Sequence, residues 1–159
     1  NSGEEQMKSK KAITISFLIL MLLFVYYAIN AAPLMTDQNY TYLGNLRWYK
    51  TYEEGSKIAI ELKKPMLLYF WTIWCTYCEK MQTEVFPQEE INKILEEDFV
   101  LIAVDMDVNK EDTRRFNVQY PPYELFLTPN GEVITRIPGY ISAEGFLPVL
   151  RGIKQYGGE

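Results

Sequence analysis

Apolar and polar residues alternate in different rhythms along this chain. Behind the basic stretch Met7-Lys8-Ser9-Lys10-Lys11, residues 12–29 form an apolar run without a charge. About 18 residues of helix at about 1.5 Å each reach roughly 27 Å, close to the roughly 30 Å hydrocarbon core of a bilayer. The run therefore predicts one N-terminal transmembrane helix, with Tyr26 and Tyr27 at its interfacial end. Lysines ahead of such a run stay in the cytoplasm and send the rest of the chain outside. A cleavable signal peptide has the same pattern, but Ile29-Asn30-Ala31 is a poor version of its small-residue cleavage site.

Residues 31–46 mix Ala, Pro, Asn, Thr and Tyr without periodicity and read as a linker. Beyond them the pattern becomes periodic. Over 51–63, Tyr52, Ile58, Ala59 and Leu62 recur at near-helical spacing and Pro65 ends the segment, which predicts an amphipathic helix. Residues 66–71 are a continuous apolar run too short for a helix, as expected of a strand buried on both faces. Helical pieces follow at 75–85 and 87–97, the second with Pro87 in its first turn. A strand at 100–104, a weak helix at 110–118, a strand at 124–128, a turn at Pro129-Asn130-Gly131, a strand at 132–137 and a helix capped by Ser142 complete the order. Strands separated by helices require a parallel portion, and the tight Asn130-Gly131 turn requires an antiparallel pair. The expected class is α/β, a mixed central sheet with helices on both faces.

Nearly half of the 159 residues are apolar, enough for one cored domain besides the N-terminal segment. The organisation read from the pattern is a cytoplasmic basic N-terminus at 1–11, a membrane anchor or signal segment at 12–30, the linker at 31–46 and a globular domain at 47–159. A net charge of −5 argues against binding a phosphate backbone, so nucleic acid is not an expected partner. The chain has no histidine, which excludes Ser-His and Cys-His triads and removes the commonest metal ligand.

The two cysteines, Cys75 and Cys78, stand where a buried strand gives way to a helix, in Trp74-Cys75-Thr76-Tyr77-Cys78. One turn apart, their sulfurs fall on the same face and can close a small disulfide ring. Free N–H groups and the helix dipole lower the pKa of a cysteine at a helix N-terminus, which favours Cys75 as nucleophile. Cys78, one turn on and packed against the protein, is the expected resolving thiol. A purely structural bridge across two residues would restrain the unfolded chain very little. Two thiols without His cannot complete a zinc site, and Glu79 stands where haem attachment needs His. The chemistry calls for no cofactor and no metal.

Phe70-Trp71-Thr72-Ile73-Trp74-Cys75-Thr76-Tyr77-Cys78-Glu79-Lys80-Met81 resembles the active-site segment of thioredoxins. Glu84-Val85-Phe86-Pro87, Val104-Asp105-Met106-Asp107, Tyr120-Pro121-Pro122, Pro129-Asn130-Gly131 and Pro138-Gly139-Tyr140 extend the likeness. Together they resemble the periplasmic thioredoxin-like branch, including the C-terminal domain of membrane thiol:disulfide interchange proteins. The resemblance implies a thioredoxin fold and places the family's substrate-holding cis-proline at Pro122. Pro121 before it has no N–H to offer a substrate strand. Tyr69 stands in place of the buried aspartate that thioredoxins carry six residues before the nucleophile, which leaves the proton route at Cys78 to water, tyrosine or another carboxylate. Thr83 replaces the bend-inducing proline of the active-site helix, and Pro87 is expected to interrupt that helix a turn later. Trp74, Thr76, Tyr77, Pro121 and Pro122 are the expected substrate contacts.

The reading that results is a monomeric, membrane-tethered thiol:disulfide oxidoreductase displayed on the outer, periplasmic side. It acts on disulfides of exported proteins, with electrons from a membrane donor protein as the resemblance implies. The Thr76-Tyr77 pair lacks a positive charge to stabilise a reduced thiolate, which favours a reductase. The alternatives are a disulfide oxidase or isomerase of exported proteins, and a binding or chaperone module that merely retains the thiols.

Overall fold

A computed structural model describes residues 2–31 and 39–157; over 2–12 and 28–31 it describes the backbone alone. The chain divides into two units, one up to Gln38 and one from Asn39 onward. In the first, helix α1 spans Ser2–Ala31, and its apolar side chains from Ile13 to Tyr27 are exposed. Among the described residues no helix is long and apolar enough to cross a membrane. Most of the expected linker, 32–38, lies outside the described residues.

The second unit contains one six-stranded sheet of β1 (Tyr40–Leu43), β2 (Leu46–Tyr49), β3 (Met66–Trp71), β4 (Val100–Asp105), β5 (Tyr123–Leu127) and β6 (Val133–Pro138). Their spatial order is β1-β2-β4-β3-β5-β6. Strands β2, β4 and β3 run parallel, while β1, β5 and β6 pair antiparallel with their neighbours. The connecting helices are α2 (Tyr52–Leu62), α3 (Thr76–Lys80), α4 (Glu89–Asp98), α5 (Lys110–Arg115) and α6 (Ala143–Ile153). This is the mixed α/β sheet the pattern predicts.

The linker expectation is corrected over 40–46. Tyr40–Leu43 pairs with Leu46–Tyr49 as a hairpin closed by Gly44 and Asn45, both at positive φ, 59° and 64°. That backbone matches the right-handed twist of the strands it joins. A side chain at Gly44 would also bring its Cβ within 2.5 Å of Phe86 Cβ, so glycine answers both constraints.

Strand β3 shows why its residues form an unbroken apolar run. Leu67 and Tyr69 point to one core, with Met81, Val85, Leu95, Phe146 and Leu150 of the helical segments from α3 to α4 and of α6. Met66, Leu68 and Phe70 point to the other, with Ala59 of α2 and Val118 beyond α5. Side chains on a strand alternate between faces, so a central strand covered on both must be apolar at every position. Helix α2 lies within the expected 51–63, and the structure adds its caps, the Thr51 side chain accepting from Glu54 N and Lys63 in the left-handed conformation.

The segment after the cysteines differs from expectation in its winding. Helix α3 runs on into a π-helical turn, Met81–Val85, in which the Thr83 hydroxyl donates to the Glu79 carbonyl at 2.8 Å. The chain then breaks around Pro87, and α4 begins at Glu89 after Gln88. Pro87 thus precedes the second helix, where the sequence reading put it in the first turn.

Candidate active site

At the end of β3 the chain turns through Thr72, Ile73 and Trp74 into α3. Cys75 occupies the N-cap of α3. Its sulfur accepts from the Cys78 backbone N–H at 3.1 Å, and the two cysteines form a disulfide with Cα atoms 5.2 Å apart. A sulfur held by an N–H at a helix N-terminus is stabilised as thiolate once the bridge opens. The two positions differ in access: Cys75 retains 8% of its surface and Cys78 only 1%.

Around the disulfide lies an apolar surface. Ile73, Trp74, Tyr77 and Tyr140 are exposed, as is Thr76 between Cys75 and Tyr77. The Trp74 indole donates to Asp107 at 2.7 Å, which ties the turn before Cys75 to the loop after β4. The rings of Tyr77 and Tyr140 lie 5.8 Å apart, and Lys80 Nζ lies 5.8 Å from the Tyr77 centroid, a modest cation–π contact at an exposed site. The Pro121–Pro122 peptide is cis. Pro122 is buried and Pro121 half-buried, and the Pro122 carbonyl accepts from Gly139 N at 2.9 Å, which couples this loop to the one carrying Tyr140.

Beneath the disulfide, fully buried Tyr69 donates its hydroxyl to the Cys78 carbonyl at 3.2 Å and accepts from Gln82 Nε2 at 3.5 Å. Burial pushes the Tyr69 hydroxyl pKa up, so it stays protonated in the working pH range. Glu124 is also fully buried, and neither carboxylate oxygen has a hydrogen-bond partner. Its pKa is raised well above the usual carboxylate range by burial, opposed by its own backbone N–H.

Of the residues expected from sequence, the fold places Trp74, Cys75, Thr76, Tyr77 and Cys78 on one continuous segment and sets the cis Pro121–Pro122 peptide at the start of β5. Sequence reasoning missed Asp107, Tyr140 and Glu124 as parts of this region. Tyr140 had a signal in Pro138-Gly139-Tyr140. Asp107 likewise stood in Val104-Asp105-Met106-Asp107, whereas Glu124 had no signal, because its partner across the sheet lies far away in sequence.

A strand–CxxC–helix unit on a mixed sheet, with a cis-proline turn, defines a thiol:disulfide oxidoreductase. The chain belongs to the thioredoxin-like domain family, whose family model matches residues 52–154. It is 30% identical over 104 residues to the thiol:disulfide interchange protein DsbD of Ralstonia nicotianae, covering 62% of this chain and 17% of that protein. A thioredoxin from Thermus thermophilus has a similar structure, with a TM-score of 0.63 and 31% identity over 71% of this chain and 90% of that one. The oxidised C-terminal domain of Neisseria meningitidis DsbD shares the fold at a TM-score of 0.54 and 20% identity, covering 64% of this chain and 90% of that domain.

Proposed function

We propose that this chain is a membrane-tethered reductase of disulfides in exported proteins, with Cys75 as nucleophile and Cys78 as resolving thiol. The unequal exposure of the two cysteines carries the assignment of roles. The reduced Cys75 thiolate attacks a substrate disulfide, one substrate sulfur leaves as thiolate, and Cys75 is joined to the other. Cys78 loses its proton and attacks Cys75 Sγ, the bond between Cys75 and substrate breaks with its electron pair going to the substrate sulfur, and the Cys75–Cys78 disulfide closes. The substrate leaves reduced and the protein is left oxidised. A dithiol of a membrane donor protein then returns two electrons by the same exchange in reverse.

The exposed surface formed by Ile73, Trp74, Thr76, Tyr77 and Tyr140 supports a protein substrate, since apolar groups around the more exposed of the two cysteines favour contact with another chain. Pro121 and Pro122 offer no N–H to an extended substrate, and the Pro122 carbonyl already accepts from Gly139 N, so we assign Pro122 a shaping role and expect less backbone pairing there. The absence of a cation at Thr76 and Tyr77 supports the reducing direction. Placement outside the cytoplasm rests on the uncharged run 12–29 behind its lysines and on the likeness to a thiol:disulfide interchange protein.

Two measurements test this reading. The full chain in mild detergent, supplied with dithiothreitol, is expected to accelerate reduction of a protein disulfide, and a rate equal to dithiothreitol alone would overturn the reductase assignment. Protease added to intact spheroplasts is expected to degrade the globular unit; protection until lysis would overturn the orientation.

A further inference from the structure

Glu124 lies on β5 directly opposite Tyr69 on β3. Paired residues on adjacent strands point to the same face. Glu124 therefore shares the face of the sheet that carries Tyr69, Cys78, Met81 and Phe126. Tyr69 in turn reaches the Cys78 carbonyl. On its other side Glu124 is paired with Ile137 of β6, which has nothing to donate. Arg136, the adjacent cation of β6, is paired with Leu125, which belongs to the opposite core. Tyr69 is thus the ionisable group paired with Glu124, and Cys78 belongs to the core on that same face.

A carboxyl buried without a partner is costly, and a shape-matched apolar residue would serve the strand better. Its neighbours Leu125, Phe126 and Leu127 are what such a strand uses. We propose that Glu124, on the face of the sheet that carries Tyr69 and Cys78, is retained as the proton store of the thiol couple. When an incoming thiolate opens the Cys75–Cys78 bond, the electron pair goes to Cys78 sulfur and the Glu124 carboxyl supplies the proton, becoming carboxylate. On closure the carboxylate takes that proton back as the Cys78 thiol becomes the attacking thiolate. The negative charge enters with the donor thiolate and departs with the substrate thiolate, so atoms and charge balance over the cycle. A carboxyl whose pKa burial raises in the direction of a thiol's suits such an exchange better than an ordinary one.

The inference rests on Cys78 as resolving thiol, and one experiment separates the two claims. The reduced full chain in mild detergent is mixed with a chromogenic aryl disulfide. Attack by Cys75 releases a first aryl thiolate, and closure by Cys78 releases a second. For the wild type the second release is expected to vary little with pH across the neutral range. Glu124→Gln should slow it about tenfold or more near neutrality, with a rate that climbs about tenfold per pH unit as hydroxide takes over. Glu124→Leu should be as slow, yet unfold at a higher urea concentration than wild type, which guards against mistaking misfolding for lost proton transfer.

Stability supplies a second readout with a defined sign. Below the ordinary carboxylate range Glu124 is protonated in both folded and unfolded chains and the folded state is favoured in full. As pH rises toward the raised folded pKa, only the unfolded chain loses its proton, and stability falls. Glu124→Leu should remove that downward slope. Closure profiles for Glu124→Gln and Glu124→Leu that superimpose on wild type would overturn the proton-store role. Absence of a second release in the wild type would overturn the resolving role of Cys78, and this proposal with it.

Discussion

Cys75→Ser is expected to reduce thiol:disulfide exchange to the uncatalysed background, whereas Cys78→Ser should still attack but accumulate mixed disulfides with its partners. The two outcomes follow from position. Cys75 sits at the helix N-terminus with an N–H directed at its sulfur, beside exposed Trp74 and Tyr77. Cys78 has almost no surface and cannot stand in for it against a protein disulfide. A serine hydroxyl at position 75 stays protonated where a thiol at a helix N-terminus ionises. With serine at 78, the first bond still forms between Cys75 and substrate, but nothing within reach breaks it. Mass spectrometry of proteins captured from cells on the Cys78→Ser chain should show Cys75 joined to a partner cysteine. Exchange activity surviving in Cys75→Ser, or no captured species with Cys78→Ser, would reverse or remove the assigned roles.

Phe86→Ala is expected to destabilise the globular unit by about 3–5 kcal/mol, a large share of the roughly 5–15 kcal/mol that holds a domain folded. Phe86 is fully buried, with its ring 5.3 Å from Trp48, 5.0 Å from Tyr69 and 6.1 Å from Phe146. It joins the β1–β2 hairpin, the central strand and α6 in one cluster. Truncation leaves a cavity that three rigid aromatic rings and the close backbone of Gly44 cannot fill by small shifts. Urea denaturation should show the loss as a lower midpoint with an unchanged slope. Because Tyr69 leans on Phe86 and also holds the Cys78 carbonyl, closure of the disulfide should slow as well. A midpoint within experimental error of wild type would mean that the aromatic cluster does not support the sheet.

The sequence was most legible where one physical constraint dominated a segment. Strand β3 was readable because burial on both faces forces an apolar residue at every position, and α2 because Tyr52, Ile58, Ala59 and Leu62 recur at near-helical spacing before Pro65. The site segment was legible because CxxC after a buried strand has few other uses, and the cis Pro122 peptide followed from the family resemblance. The β1–β2 hairpin was not legible: four-residue strands give too little alternation, and Gly44-Asn45 looks like part of a polar tether until Trp48 and Phe86 are seen to cover it. The π-helical turn at Met81–Val85 depends on how that segment packs, which local propensity does not encode.

Residues that meet across the fold were the hardest to anticipate. Asp107 reaches Trp74 from a loop 33 residues away, and Tyr140 meets Tyr77 from beyond the last strand. The proton route beside Cys78 was an open question in the sequence because Tyr69 is a poor base. Glu124 answers it only once the β3–β5 register is known, since a single acid within an apolar strand otherwise reads as a solvent-facing position.

The equilibrium reduction potential of the full chain in mild detergent, titrated against glutathione and dithiothreitol, bears most directly on what these two cysteines do. One two-electron transition near or below about −250 mV is the expected result and fits a reductase fed by a membrane dithiol. A value above about −180 mV, or cysteines that do not interconvert reversibly, would contradict it, the first by making the protein a disulfide donor or isomerase and the second by removing thiol exchange altogether.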